Sequence, residues 1–102
     1  MSLYSIVSEY SDRVNDGRTL RDIFTHAEGE MRELDSDVGA IMSGTSDPGP
    51  DGILGEAIDV IACMMDLIRK QYPDITDEEL EWKMTEKCAK WERKTLEGFY
   101  LR

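Results

Sequence analysis

The chain has 102 residues and a mass of 11.7 kDa, which is enough for a single domain with one core. Hydrophobic residues make up 40% of the chain and charged residues 33%, a balance typical of an ordered, helix-rich domain rather than of a disordered segment. The formal net charge of -10 argues against binding to long nucleic acids, whose phosphates repel an acidic surface, but it permits small phosphorylated ligands held through a divalent cation.

The spacing of apolar residues in the first half of the chain predicts two helices. The first covers about Leu3 to Val14 and is broken by the turn-forming cluster Asn15-Asp16-Gly17. The second runs from about Thr19 to Val38, with its apolar residues on one face at helical periodicity. A loop follows from Ser43 to Gly52, where prolines and glycines cannot continue a helix.

Two more helices are predicted in the second half. The third, from about Ile53 to Gln71, is the most apolar stretch of the protein. The fourth begins after Thr76, which forms a capping-box pattern with Glu79, and it continues to about Leu96. No stretch alternates as a strand would, so we expect an all-α fold that forms one domain over residues 1–102.

The sequence gives no sign of a membrane-bound or secreted protein. It contains no run of about 18 apolar residues, and its start lacks the features of a signal peptide. The two cysteines, Cys63 and Cys88, are far apart and outside any CxxC pattern, so neither a disulfide framework nor a zinc site is expected. We expect a cytoplasmic protein with no membrane partner, in which both cysteines are small packed thiols.

The second and third helices each carry an acidic stripe beside a broad apolar face. The residues of the two stripes are His26, Glu30, Glu33 and Asp37 on the second helix, and Glu56, Asp59, Cys63 and Asp66 on the third. The third helix has no Lys or Arg between Ile53 and Leu67. Its carboxylates therefore have no local ion-pair partner, and clustered like charges are costly unless a cation neutralises them.

Packed side by side, these two helices could direct Glu30, Glu33, Glu56 and Asp59 at one point. Such an oxygen-rich set favours Mg²⁺, or Mn²⁺, over zinc. An ion of this kind takes substrate phosphate oxygens as further ligands and lowers the pKa of bound water. The alternative is that both stripes are simply the solvated faces of an acidic protein.

These motifs resemble those of a known family. Glu30-Met31-Arg32-Glu33, followed by Glu56-Ala57-Ile58-Asp59, resembles the ExxE…ExxD signature of MazG-like nucleotide pyrophosphohydrolases. That all-α superfamily includes dimeric dUTPases and phosphoribosyl-ATP pyrophosphohydrolase. Lys90-Trp91-Glu92-Arg93-Lys94 is similar to a basic segment on the following MazG helix, so the resemblance spans roughly Leu20 to Lys94.

The resemblance implies Mg²⁺-dependent cleavage of a nucleoside triphosphate between its α and β phosphates, giving the monophosphate and pyrophosphate. It implies that Glu30, Glu33, Glu56 and Asp59 hold the metal, and we predict Glu33 as the group that activates the attacking water. MazG proteins often read EExxE, whereas Gly29 stands at the first acidic position here. We interpret this glycine as permitting close packing or a bend.

Other polar and aromatic residues have both functional and structural interpretations. By the resemblance, Lys87, Lys90 and Arg93 would bind substrate phosphates; the alternative is a solvated basic face near the end of a helix. His26 and Asp66 are candidates for contacting substrate or supporting the metal, although His26 could equally be bonded to a neighbouring acid. Asp37 is expected at the surface, and Trp82 and Trp91 in the core or an interface rather than stacked on a base.

The chain is expected to form oligomers. The third helix is apolar over about two-thirds of its circumference, which so short a chain cannot enclose. A symmetric homodimer would complete a four-helix core by pairing the second and third helices of two subunits. The resemblance implies dimers or dimers of dimers. The competing hypothesis for function is a small acidic helical interaction protein without catalysis, of which an inhibitor that mimics DNA is one version.

Overall fold

The computed structural model describes residues 1–14, 17–44 and 52–98, and these segments contain four helices and no strand. They are α1 (Leu3–Arg13), α2 (Leu20–Met42), α3 (Gly52–Gln71) and α4 (Asp77–Leu96). The predicted all-α class is therefore confirmed. Within the described ranges, no helix has the length and apolar character needed to span a bilayer.

Two of the helices begin at threonine caps. The Thr19 hydroxyl accepts a hydrogen bond from the Asp22 N–H at 3.1 Å, and the Asp22 carboxylate accepts one from the Thr19 N–H at 2.9 Å. This pair forms a complete capping box at the start of α2. At the start of α4, the Thr76 hydroxyl accepts the Glu79 N–H at 3.1 Å, which confirms the predicted cap.

Replacement of the α2 cap should measurably destabilise the protein. Thr19→Ala should lower the free energy of unfolding by about 1 kcal/mol, because one N–H of the first turn loses its acceptor. The control is Thr25→Ala, at an exposed position inside the same helix. Urea denaturation at fixed protein concentration measures both, and an equal loss in the two variants would contradict the role of the cap.

The same cap makes the stability of the fold depend on pH. Hydrogen bonds from the Thr19 backbone and hydroxyl lower the pKa of Asp22 from its ordinary value. Because the folded pKa is the lower one, this stabilisation is present above the ordinary pKa of the carboxyl and is lost as the pH falls through the folded value. Thr19→Ala should therefore also weaken the acid dependence of stability.

α2 extends beyond its expected end at Val38 and ends at Met42. Gly39 does not stop the helix because good helix formers follow it, and one interior glycine costs only about 1 kcal/mol. The helix ends instead before Gly44, which adopts a φ of 71° and donates its N–H to the Ile41 carbonyl at 3.1 Å. Most of the predicted loop, residues 45–51, lies outside the described residues, as do residues 15 and 16 of the predicted break after α1.

The body of the protein is an antiparallel pair formed by α2 and α3, with α1 packed on α3. Ile23 and Ala27 of α2 and Cys63 of α3 are buried along this seam, and Tyr4 is the buried residue of α1. By contrast, α4 has no buried residue and packs extensively against none of the other helices within the described ranges.

The overall dimensions show that the single chain is not fully packed. Its radius of gyration is 16.1 Å. A compact domain of about 100 residues would have a value of about 13 Å. The excess is consistent with an α4 that lies apart from the body formed by the other helices.

Candidate metal site

Three carboxylates meet where α2 and α3 pack together. Glu30, Glu33 and Glu56 each offer an oxygen, and these oxygens lie within 4.8 Å of one another. Glu30 and Glu33 are three residues apart and so project from the same face of α2, while Glu56 comes from α3. We call these three residues the carboxylate cluster. The structure thus brings together three of the four residues predicted as metal ligands.

The cluster runs from the interior of the protein to the solvent. Glu56 is only 6% exposed, Glu30 is partly buried and Glu33 is exposed. A ligand could therefore approach from the Glu33 side, with Glu56 forming the inner wall. All three donors are oxygens, which is the donor set that Mg²⁺ and Mn²⁺ prefer.

Asp59, the fourth predicted ligand, is not a member of the cluster. It lies on α3 nearly one turn beyond Glu56 and is partly buried. Two observations fix the register of the helices: Cys63 contacts His26, and Glu56 meets Glu33. This antiparallel register places Asp59 opposite Glu30, and its role as a ligand stays a prediction.

Glu30 is the residue that links the cluster to the rest of the seam. Its Oε1 lies 3.1 Å from the His26 Nε2. Its other oxygen, Oε2, is buried and has no hydrogen-bond partner among the described residues. A buried carboxylate oxygen without a partner is costly, and a hard cation shared with Glu33 and Glu56 would satisfy it.

His26 also contacts a cysteine that the sequence analysis did not connect with it. The Nδ1 of His26 lies 3.7 Å from the Cys63 Sγ, while its Nε2 faces Glu30. A neutral imidazole that donates from Nε2 to Glu30 keeps Nδ1 as an acceptor for the thiol. The structure thus shows the bond to a neighbouring acid that was one of the two interpretations of His26, and a role toward substrate or metal stays a prediction. The sequence pattern that could have predicted this contact is the position of Cys63 in the same sector of α3 as its acidic residues.

The two cysteines differ strongly in their surroundings. Burial raises the pKa of the Cys63 thiol, and the negative charges of Glu30, Asp66 and Asp59 raise it further. Cys88, expected to be packed, is instead exposed, because α4 has no packed face in the described structure.

Thiol labelling should separate these two environments. At neutral pH a maleimide should modify Cys88 more than about tenfold faster than Cys63, because the thiolate is the reactive form and Cys63 is both shielded and protonated. Mass spectrometry of a labelling time course measures both rates. Cys88→Ser should leave only the slow reaction, and comparable rates at the two sites would contradict the burial of Cys63.

Two other predicted acidic residues are placed away from the cluster. Asp66 accepts the Ser11 hydroxyl at 2.6 Å and the Arg18 guanidinium at 2.8 Å, so it connects α3 to α1 and to the start of α2. Asp37 was expected at the surface, and this is wrong, since the residue is buried. Asp37 follows Ile23 and Glu30 at seven-residue spacing and so lies on the face of α2 that packs against α3.

The basic residues predicted to bind phosphate lie on α4. Lys87, Lys90 and Arg93 are exposed, and their helix packs extensively against neither α2 nor α3 in the described structure. Trp82 and Trp91 are exposed on the same helix and do not contribute to a core within a single chain. The structure therefore does not assemble the basic segment with the carboxylate cluster, and its role stays a prediction.

Gly29 does not serve close packing. A Cβ at this position would meet only the end of the Arg32 side chain, at 4.0 Å. The Cβ of an acidic residue, as in the EExxE pattern, would therefore meet no steric clash here.

Comparison of the chain with known protein families, curated proteins and solved structures finds no match. The arguments for function therefore rest on the motifs and on the geometry of the cluster.

Proposed function

We propose that the protein is a Mg²⁺-dependent nucleoside triphosphate pyrophosphohydrolase of the MazG-like type, which cleaves (d)NTPs between the α and β phosphates. The observation that carries this proposal is the meeting of Glu30, Glu33 and Glu56 from two helices within 4.8 Å. The spacing of these residues is that of the ExxE…ExxD signature, and their side chains converge as a shared metal would require.

Burial favours this function over the acidic interaction protein. The solvated face of an adaptor would hold its carboxylates in water, where repulsion is weak and each oxygen is hydrated. Here Glu56 is buried, and Glu30 has a buried oxygen that finds no hydrogen-bond partner among the residues that the structure describes. Burying like charges together destabilises the fold unless a cation or a proton compensates.

In the proposed site, Glu30, Glu33 and Glu56 would hold Mg²⁺, with Asp59 as a fourth ligand. The ion supplies charge stabilisation at the phosphates and lowers the pKa of bound water. Glu33 is the exposed member of the cluster, so it is placed to orient or deprotonate the water that attacks phosphorus. Pyrophosphate leaves with the electron pair of the cleaved bond.

We propose that the working unit is a homodimer or a homotetramer. Phe24, Met31 and Val38 recur every seven residues along α2 and are exposed, as are Ile58 and Ile61 on α3. Exposed apolar side chains that line up along two adjacent helices are unusual for a monomer. Pairing the α2 and α3 helices of two copies would bury it in a four-helix core.

The dimer also provides a role for α4. The phosphate-binding function proposed for Lys87, Lys90 and Arg93 requires α4 to approach a carboxylate cluster. In the described part of one chain this helix packs extensively against no other helix, so we propose that its basic segment reaches the substrate phosphates in the assembled dimer.

A panel of NTPs and dNTPs with Mg²⁺, scored for pyrophosphate release, tests the proposed activity. A thermal shift with Mg²⁺ or Mn²⁺ alone tests the metal site, since a ligand that binds only the folded state must raise stability. Light scattering in solution measures the oligomeric state. If no pyrophosphate is released and millimolar metal causes no thermal shift, the results would favour the acidic interaction protein.

A further inference from the structure

α1 and α3 leave a recess between them that the proposed chemistry does not use. The recess has a volume of about 340 Å³ and is open to solvent. Most of its wall is apolar, with Ile6, Val7 and Tyr10 from α1 and Ala62 from α3. Its polar groups include Asp66 and His26. We call it the α1–α3 recess.

The recess adjoins the carboxylate cluster through one side chain. His26 lines the recess, and its Nε2 lies 3.1 Å from the Oε1 of Glu30. The imidazole therefore contacts both the recess and the carboxylate cluster. In a nucleotide, one sugar ring separates the base from the first phosphate. A nucleotide with its phosphates at the cluster would thus have its base at the recess.

We propose that the α1–α3 recess binds the base of a nucleotide, with Tyr10 stacking on the base and Asp66 reading its edge. This proposal rests on the proposed function for the identity of the ligand. The recess suits a base because it is apolar around the sides and carries fixed polar groups at a few points, which is the usual composition of a small-molecule site.

Tyr10 provides the aromatic surface. Its side chain is 59% exposed although it lines a largely apolar recess. The Arg13 guanidinium lies 4.4 Å from the centre of its ring and supports it. An aromatic ring held in this way is a stacking surface for any base, because every base has a π face.

Asp66 provides selectivity. Ser11 and Arg18 each donate to one of its two oxygens, at 2.6 and 2.8 Å, which fixes the carboxylate. An ionised carboxylate has about four acceptor positions, so two donors leave it able to accept an N–H from a base. Cytosine and adenine offer an exocyclic amino donor, whereas uracil and thymine offer only a ring N3–H between two carbonyl oxygens that a carboxylate repels. The recess should therefore prefer amino-bearing bases to uracil and thymine.

Titration with nucleosides, followed by NMR without metal or phosphate, tests the recess separately from catalysis. Cytidine or adenosine should shift the signals of Val7 and Ala62 more strongly than uridine does. Tyr10→Ala should weaken binding by about tenfold, through loss of stacking. Asp66→Asn should remove the preference for amino-bearing bases. Trp82→Ala is the matched control, because Trp82 is 64% exposed on α4 and lies outside the recess, and it should change nothing.

The same titration on the triple variant Glu30→Gln, Glu33→Gln, Glu56→Gln separates the two proposals. Shifts that persist in this variant support the recess whether or not the parent hydrolyses triphosphates. The parent protein could hydrolyse triphosphates while the NMR signals of its recess residues respond to no nucleoside. That result would overturn the proposed base site and leave the proposed function standing. Shifts centred on Tyr72 and Trp82 would also overturn it, because those residues line a separate groove where α3 meets α4.

Discussion

Glu56→Gln should remove the Mg²⁺-dependent rise in melting temperature and lower pyrophosphate release by more than about a hundredfold. Glu56 is the most buried member of the carboxylate cluster and its only member from α3, so its replacement removes the innermost oxygen donor. Glutamine keeps the size of the side chain but carries no charge and binds Mg²⁺ weakly. In the metal-free protein the variant should be at least as stable as the parent, because one of three adjacent like charges is gone.

A metal ligand should therefore lower stability in Mg²⁺ when it is replaced, and should not lower it in the metal-free protein. A carboxylate that only supports the fold would not show this opposite response. Thermal melts over a Mg²⁺ titration and a pyrophosphate assay measure the two effects on the same samples. The matched control is Glu28→Gln, which removes a charge from an exposed position of α2 outside the cluster, and it should behave as the parent. A Glu56→Gln protein that keeps its metal response would remove Glu56 from the site.

The helices themselves could largely be predicted from the sequence. Apolar periodicity located the first two helices, the most apolar stretch located the third, and the capping pattern at Thr76 located the fourth. The cap at Thr76 and the end of α3 at Gln71 were predicted correctly because they depend on neighbouring residues only. The end of α2 was not, because Gly39 is compatible with either outcome. The helix continues because the three residues after Gly39 favour a helix. The difference between their helix propensity and the cost of the glycine is too small to be predicted from the local sequence.

The convergence of three carboxylates was also within reach of sequence reasoning. Positions three residues apart share a helix face, so Glu30 and Glu33 had to project together. The burial of Asp37 and the separation of Asp59 from the cluster were not accessible in the same way. They depend on how far each helix is rotated about its axis and on the antiparallel register, and both are set by packing between residues that are distant in the sequence.

The position of α4 lies further beyond sequence reasoning. Its own sequence predicts a well-capped helix with a basic face, and the structure has that helix. Trp82 and Trp91 are exposed on this helix, and it packs extensively against no other helix in the described part of the chain. Its caps and apolar spacing do not determine what those side chains contact. In the proposed dimer, Lys87 and Lys90 would reach the substrate phosphates only on assembly.

Ile23→Ala should lower the free energy of unfolding by about 3 kcal/mol, the largest loss of stability that we expect from a single truncation in this chain. Ile23 is 3% exposed on the seam between α2 and α3, and few hydrophobic residues are buried anywhere in the described structure. A domain of this size has a total stability of only about 5–15 kcal/mol. The control is Thr25→Ala, at an exposed position of the same helix that lies outside the proposed dimer surface, and it should cost much less.

Ile23 lies two helical turns from Glu30, so this truncation should weaken the fold without removing the metal site. Urea denaturation at one protein concentration, with and without Mg²⁺, should show the lower stability of Ile23→Ala and an undiminished increment from the ion. The carboxylate cluster would then be held locally by its own part of the seam. If Ile23→Ala lost both stability and the stabilisation by Mg²⁺, this view would be wrong. The contacts between α2 and α3 would then have to be intact along their whole length to bring Glu56 to Glu30.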